Sequence, residues 1–222
     1  MKQALLVIDV QESFRHRPYW HGDELPAFLE NVQSLVDGAR ARGIPVLQVF
    51  HAELTNDARD PFSRSSGLVR PMPELSLVAD AVFYKHVHSA MFAKMIDNRA
   101  VSEGIPSGDN RAVSDDRAVS EGIPNGEGIP SGDGVTLEDW LRQHGIEEVL
   151  VTGIRTEQCC ETTSRHASDL GFKVRYVTDA TLTFPMRSRS GRDFSPAEIR
   201  ERTELVLDGR FARVVTSAEA LG

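Results

Sequence analysis

Cysteine is scarce in this chain of 222 residues, which contains only Cys159 and Cys160, next to each other. A disulfide framework needs several cysteines that are spaced apart, and a bond between adjacent cysteines is strained. We therefore predict free thiols and a protein of the reducing cytoplasm rather than an oxidising compartment.

Long apolar runs are also missing, and the sequence therefore predicts no transmembrane helix and no membrane partner. The first apolar run, Ala4–Ile8, ends at Asp9, and no small-residue cleavage site follows it. These features are not typical of a signal peptide. We interpret the run as a buried strand.

Basic charge is in deficit. Lys and Arg number 25 against 33 Asp and Glu, which gives a net charge of −8. A nucleic-acid surface needs clustered basic residues, so we predict no nucleic-acid partner. A hydrophobic content of 40% and this length fit one domain spanning residues 1–222.

Short apolar runs alternate with segments of helical periodicity along most of the chain. This alternation predicts an α/β fold of three layers, α/β/α, with a mostly parallel six-stranded sheet, helices on both faces and a Rossmann-like topology. The predicted strands are residues 4–8, 45–50, 81–84, 149–152, 173–177 and 213–216, and the predicted helices are 26–42, 137–144, 159–170 and 196–207.

One segment, residues 97–132, consists of six hexads of the types DNRAVS and EGIPSG. A hexapeptide β-helix needs an apolar residue in constant phase, which these hexads lack. Their Gly, Pro, Ser and Asp content favours a low-complexity surface insertion. A lid or an interface arm is the alternative.

Three residues at or just after predicted strand ends could carry chemistry: Asp9, Lys85 and Cys159. Each also has a structural interpretation: a carboxylate that caps a loop, a surface lysine and an inert buried thiol. Cys159 begins a predicted helix, where the helix dipole should lower the pKa of a thiol. Together the three could form a nucleophile, its base and a cation that holds the resulting charge.

Motifs around these residues resemble the isochorismatase-like cysteine hydrolases, which include nicotinamidases and N-carbamoylsarcosine amidase. An apolar strand precedes Asp-x-Gln-x-x-Phe. The residues Ser-Ala occur four and five positions after Lys85. A Gly-x-x-Thr-x-x-Cys run then ends at Cys159. The matching residues are Asp9, Gln11, Phe14, Lys85, Ser89, Ala90, Gly153, Thr156, Cys159 and Thr163.

The resemblance implies a hydrolase that cleaves an amide or ureido C–N bond of a small molecule through a thioester. Cys159 would be the nucleophile, Asp9 the proton carrier and Lys85 the stabilising cation. The backbone N–H groups of Arg155 and Cys159 would form the oxyanion hole, and the peptide bond between Ile154 and Arg155 would be cis. The resemblance also implies a homo-oligomer, either a dimer or a tetramer.

The metal motif of nicotinamidases, Asp-x-His with a further His, is not present after the second strand. We therefore predict no metal and no cofactor, and interpret His51 as a hydrogen-bonding residue at a strand end. His86 and His88 are predicted at the rim of the pocket, and Cys160 is predicted in the core.

Aromatic residues near the predicted site could form the substrate pocket, namely Phe14, Trp20, Tyr84 and Phe184. Arg155, Arg187 and Arg189 are candidates for binding a substrate carboxylate. Two alternative functions remain: a thiol esterase or other hydrolase on the same scaffold, and a non-catalytic protein that acts by binding a partner.

Overall fold

Within the part of the chain that the structure describes, a seven-stranded sheet organises the fold, and six of its strands run parallel. The computed structural model describes residues 1–95 and 134–222. The hexads therefore lie outside the described residues. The strands are β1 (Gln3–Ile8), β2 (Val46–His51), β3 (Ala81–Lys85), β4 (Lys94–Met95), β5 (Glu148–Ile154), β6 (Lys173–Leu182), β7 (Met186–Arg187), β8 (Asp193–Phe194) and β9 (Arg213–Val215).

The strand order in this sheet is β4-β3-β2-β1-β5-β6-β9. All six predicted parallel strands are present. The prediction omitted β4, which pairs antiparallel with β3 at the sheet edge, because a strand of two residues carries no readable alternation. The small β7-β8 pair forms a separate antiparallel sheet.

Helices cover both faces of the sheet. Three of the described helices begin with capping boxes, at Thr136, Ser195 and Thr216. The first turn after β5 is a π-helical turn, Thr156–Cys160, that leads into the third helix. The helices are α1 (Leu25–Ala41), α2 (Leu137–Gln143), α3 (Glu161–Asp169), α4 (Pro196–Leu207) and α5 (Ser217–Ala220).

The core is divided by the sheet into two clusters, as strand periodicity requires. Alternate residues of β1 face opposite clusters: Leu6 and Ile8 pack with residues of α2 and α3, and Leu5 and Val7 pack with α1. The three-layer prediction is therefore confirmed. Because β1 is covered on both faces, its sequence is a nearly continuous apolar run.

The topology reverses between β1 and β5, which are neighbours in the sheet while β2 and β3 lie on the other side of β1. In such sheets ligands bind beyond the carboxyl ends of the strands at this reversal. Asp9 follows β1, and Cys159 lies in the turn after β5.

Candidate active site

Lys85 contacts the other two predicted residues, Asp9 and Cys159, in one buried cluster. Its Nζ donates to Asp9 Oδ2 at 2.7 Å and to Cys159 Sγ at 3.3 Å. The side chains of Lys85 and Asp9 are fully buried. A buried ammonium and carboxylate require each other, since either one alone would be an uncompensated charge.

The third partner of Lys85 is His51, the last residue of β2. The distance from Lys85 Nζ to His51 Nδ1 is 3.3 Å, and an ammonium group can only donate, so Nδ1 accepts. The other ring nitrogen, Nε2, lies 3.2 Å from Glu53 Oε1 and must donate to that carboxylate. His51 is therefore a neutral imidazole that carries its proton on Nε2, which agrees with its predicted role in hydrogen bonding.

Burial lowers the pKa of His51, and the charge of Lys85 lowers it further. Both effects oppose the imidazolium form. The pKa of Lys85 is raised, because the attraction of Asp9 and Cys159 exceeds the desolvation that opposes it. The cluster thus contains a stable ammonium beside a neutral histidine.

The thiol of Cys159 has the opposite character to the one predicted. Burial, followed by the charge of Asp9, raises its pKa to about 12, and Lys85 only partly offsets this. The expectation of a pKa lowered by the helix terminus is therefore wrong, because desolvation is the larger effect. A thiol with this pKa is protonated at neutral pH and would need a base to become reactive.

Backbone geometry at the two central strand ends brings Asp9 and Cys159 together. Asp9 has a φ of 55°, a left-handed conformation that non-glycine residues rarely adopt. Gly153 has a φ of 131°, and a Cβ there would lie 1.9 Å from the carbonyl oxygen of Ile8. The peptide bond between Ile154 and Arg155 is cis, as the resemblance implied.

Two further motif residues hold the surrounding loops. The Gln11 side chain accepts from the His51 N–H at 2.8 Å and donates to the His51 carbonyl at 2.9 Å, which fixes the end of β2. The Thr163 hydroxyl accepts from the Ala90 N–H at 2.9 Å and ties the loop after Lys85 to α3.

The cluster opens into a cavity of about 380 Å³. His86 and His88 are exposed at this cavity, as predicted. His88 Nδ1 lies 3.9 Å from Cys159 Sγ. The lining residues are Asp9, Phe14, Arg17, His51, Glu53, Phe62, His86, Val87, His88, Gln158 and Cys159.

Of the four predicted substrate-binding residues, Phe14 lines this cavity and the other three do not. Trp20 packs on Phe184 with ring centroids 5.2 Å apart, and Tyr84 packs on Phe50 at 5.5 Å. Tyr84 and Phe184 are buried in hydrophobic clusters, and Trp20 packs against the cluster that contains Phe184. Sequence reasoning missed Arg17 and Phe62, whose positions depend on the long loop between β2 and β3.

None of the three predicted carboxylate-binding arginines lines the cavity either. Arg155 forms an ion pair with Glu157 at 2.9 Å and lies over the Tyr19 ring. Arg187 lines a separate cavity together with Arg202, and Arg189 is exposed in the turn between β7 and β8.

The family model for the isochorismatase domain matches residues 3–107 and 133–219. The chain belongs to the isochorismatase family. Members of this family are hydrolases.

Among the relatives of this isochorismatase-family protein is an uncharacterised member from Bacillus subtilis (strain 168), 23% identical over 225 residues, with 99% of this chain and 95% of that protein covered. The nicotinamidase of Escherichia coli (strain K12) is 25% identical over 184 residues, with coverage of 80% and 81%. A cysteine hydrolase from Pseudomonas syringae pv. phaseolicola shares the fold with a TM-score of 0.71 at 20% identity, with coverage of 99% and 91%.

A metal site needs donor atoms that are not already engaged by other groups. Within residues 1–95 and 134–222, no group of three His, Cys, Asp or Glu side chains could hold a metal ion. Both ring nitrogens of His51 are already paired, with Lys85 and Glu53. The donor set described for this isochorismatase-family protein therefore does not fit a metal.

Cys160 is fully buried in the cluster that contains α2 and α3, as predicted. None of the described helices has the length and apolar composition needed to cross a bilayer.

Proposed function

We propose that this protein is a cysteine-dependent hydrolase that cleaves a C–N bond of a small amide or ureido compound through a thioester. One observation carries the proposal: Lys85 contacts both Asp9 and Cys159 at the wall of a cavity of small-molecule size. The nicotinamidase relative supports an amide as the substrate.

Asp9 is the proton carrier in the proposed reaction. It accepts the proton of the Cys159 thiol as Sγ attacks the substrate carbonyl, and Lys85 stabilises the negative charge on both groups. The oxyanion of the tetrahedral intermediate accepts hydrogen bonds from the backbone N–H groups of Arg155 and Cys159. When the C–N bond breaks, Asp9 donates its proton to the leaving nitrogen.

Water then completes the cycle. Asp9 takes a proton from a water molecule, whose oxygen attacks the thioester carbonyl, and the C–S bond breaks. The proton on Asp9 returns to the Cys159 sulfur. The overall reaction consumes one amide and one water and releases an acid and an amine. A protonated thiol with a pKa near 12 suits this scheme, because the base is already in contact.

The test is ammonia release from a panel of small amides, including nicotinamide, N-carbamoyl amino acids, ureido acids, maleamate and oxamate. We expect at least one substrate to be hydrolysed, and the Cys159→Ala variant to lose that activity entirely. Cys160→Ala is the matched control and should stay active, since Cys160 is buried in the core. Equal turnover by Cys159→Ala would rule out the proposed nucleophile.

We also propose that the protein acts as a homo-oligomer, as the resemblance to its family implies. Native mass measurement in solution tests this directly: a dimer or tetramer is expected, and a monomer at micromolar concentration contradicts it.

A further inference from the structure

Arg17 lines the same cavity as Cys159. Among the described residues, one of its N–H groups has a hydrogen-bond partner. Its Nη2 donates to Asp60 Oδ1 at 3.1 Å. A guanidinium carries five N–H donors in a rigid plane. The described residues therefore account for one donor and leave four for other groups.

The guanidinium of Arg17 is held in place from two sides. Its Cζ lies 4.7 Å from the ring centroid of Phe62. Asp60 Oδ1 is itself fixed, because it accepts from the Phe62 N–H at 3.0 Å. Phe62 in turn packs edge-to-face on Phe14 at 4.9 Å. A cation held in this way can bind a ligand without ordering its own side chain.

The other charged groups at the cavity already have partners. The three donors of Lys85 reach Asp9, Cys159 and His51. Glu53 accepts from His51. Among the described residues at this cavity, Arg17 is the permanently charged group with donors to spare, and its planar fork matches a carboxylate.

We propose that Arg17 binds a carboxylate of the substrate, so that the substrate is a small amide or ureido compound bearing an acid group. This inference rests on the proposed function. Phe14 and Phe62 line the same cavity and offer an apolar surface to a short hydrocarbon link between the amide and the acid. The cavity of about 380 Å³ limits the length of that link.

Two alkylating agents test this proposal without knowledge of the substrate. Iodoacetate and iodoacetamide differ only in a carboxylate and an amide, and both modify thiols. We would measure the rate at which each modifies Cys159, located by peptide mass spectrometry, and take the ratio of the two rates. We expect Arg17→Gln to lower the ratio of iodoacetate to iodoacetamide about tenfold, the effect of one charged hydrogen bond.

Two matched variants complete this experiment. Arg17→Lys keeps the charge without the fork and should lower the ratio by a smaller factor. Arg59→Gln is the control, because Arg59 is exposed, pairs with Asp57 and does not line the cavity. It should leave the ratio unchanged. An unchanged ratio in Arg17→Gln, or an equal loss of both rates, would overturn the proposal.

Hydrolysis of succinamate and succinamide separates this inference from the proposed function. With the wild-type protein we expect a lower KM for succinamate, and Arg17→Gln should remove that preference. Suppose that neither compound is hydrolysed but the alkylation ratio falls in Arg17→Gln. The carboxylate site at Arg17 is then supported, and these amides are contradicted as substrates. Cys159-dependent hydrolysis with an unchanged ratio contradicts the carboxylate site alone.

Discussion

Lys85 contacts Asp9, His51 and Cys159, and its charge acts on all three. Its ammonium stabilises the Asp9 carboxylate, opposes protonation of His51 and only partly offsets the raised pKa of Cys159. The cluster therefore contains the Lys85–Asp9 ion pair beside a thiol with a raised pKa. A thiolate that existed before the substrate bound would not need a base. Burial of this site disfavours that charged form.

Removing Lys85 should therefore affect stability as well as activity. We expect Lys85→Met to lower the free energy of unfolding by about 3 to 5 kcal/mol, because it leaves the Asp9 charge buried without a partner. Urea denaturation measures this. Lys173→Met, at an exposed position, should change it little, and Asp9→Asn combined with Lys85→Met should recover part of the loss. A small effect of Lys85→Met would contradict the buried pair.

His51 should act by positioning the ammonium of Lys85. We expect His51→Leu to reduce kcat about tenfold through loss of one charged hydrogen bond, and His51→Gln, which keeps an acceptor, to retain more activity. Nitrogen-15 NMR of the wild-type protein should show the proton on Nε2 at neutral pH. A proton on Nδ1 would be incompatible with the contact between Lys85 and His51.

At the level of elements, the site depends on close approach of β1 and β5. Gly153 pairs with Ile8 in this register, and its missing side chain lets the two backbones meet just before Asp9. The motif glycine thus has a steric role that its neighbours in sequence do not reveal. Cys159 lies in the π-helical turn Thr156–Cys160, which follows β5.

A methyl group at Gly153 should disrupt this approach. We expect Gly153→Ala to lower the free energy of unfolding by about 3 kcal/mol or more, since its Cβ would lie 1.9 Å from the carbonyl oxygen of Ile8. Gly43→Ala is the control: its φ is 65° but nothing lies within 4 Å, so the expected cost is about 1 to 2 kcal/mol. Equal losses in the two variants would argue against a steric role.

For the whole molecule, the chain segments on either side of the hexads meet. The Met95 N–H donates to the Val135 carbonyl at 2.9 Å, and Lys94 pairs with Thr136 in an antiparallel bridge. The described residues that flank the hexads are therefore already hydrogen-bonded to each other. This contact makes the hexad insertion a candidate for removal.

We expect a chain without residues 97–132 to fold and to keep its Cys159-dependent activity. Its free energy of unfolding should be equal or higher by about 1 to 2 kcal/mol, because a shorter loop costs less closure entropy. Urea denaturation and the amide assay measure both. Normal stability with lost activity would instead support the alternative of a lid or an interface arm.

Stability should also fall at alkaline pH. Burial raises the pKa of Cys159 to about 12 and that of Tyr84 to about 12, and raises the pKa of Cys160 as well. Unfolded thiols lose their protons near pH 8.5, so above that pH the folded protein binds more protons than the unfolded chain. The free energy of unfolding must then decrease as pH rises.

Between pH 7.5 and pH 10 we expect a loss of about 2 to 4 kcal/mol under reducing conditions, measured by urea denaturation. Cys160→Ala should show a smaller loss, because one of the two buried thiols is absent. A stability that does not change over this range would mean that the thiols are accessible to solvent in the folded protein.

The sequence by itself determined the alternation of strands and helices and the place of Asp9, Lys85 and Cys159 at strand ends. These follow from local apolar periodicity and from the order of short motifs, because parallel strands bring their carboxyl ends to one edge. The boundaries of α4 were also readable, since Ser195 and Pro196 mark its start.

Only the tertiary structure decided the raised pKa of Cys159, the tautomer of His51 and which residues line the cavity. The cavity includes Arg17 and excludes Trp20, Tyr84 and Phe184. These properties depend on burial and on contacts between side chains far apart in the chain, such as Arg17 with Asp60 and His51 with Lys85. Local patterns carry no information about such contacts, because desolvation and side-chain direction are set by the packed neighbours.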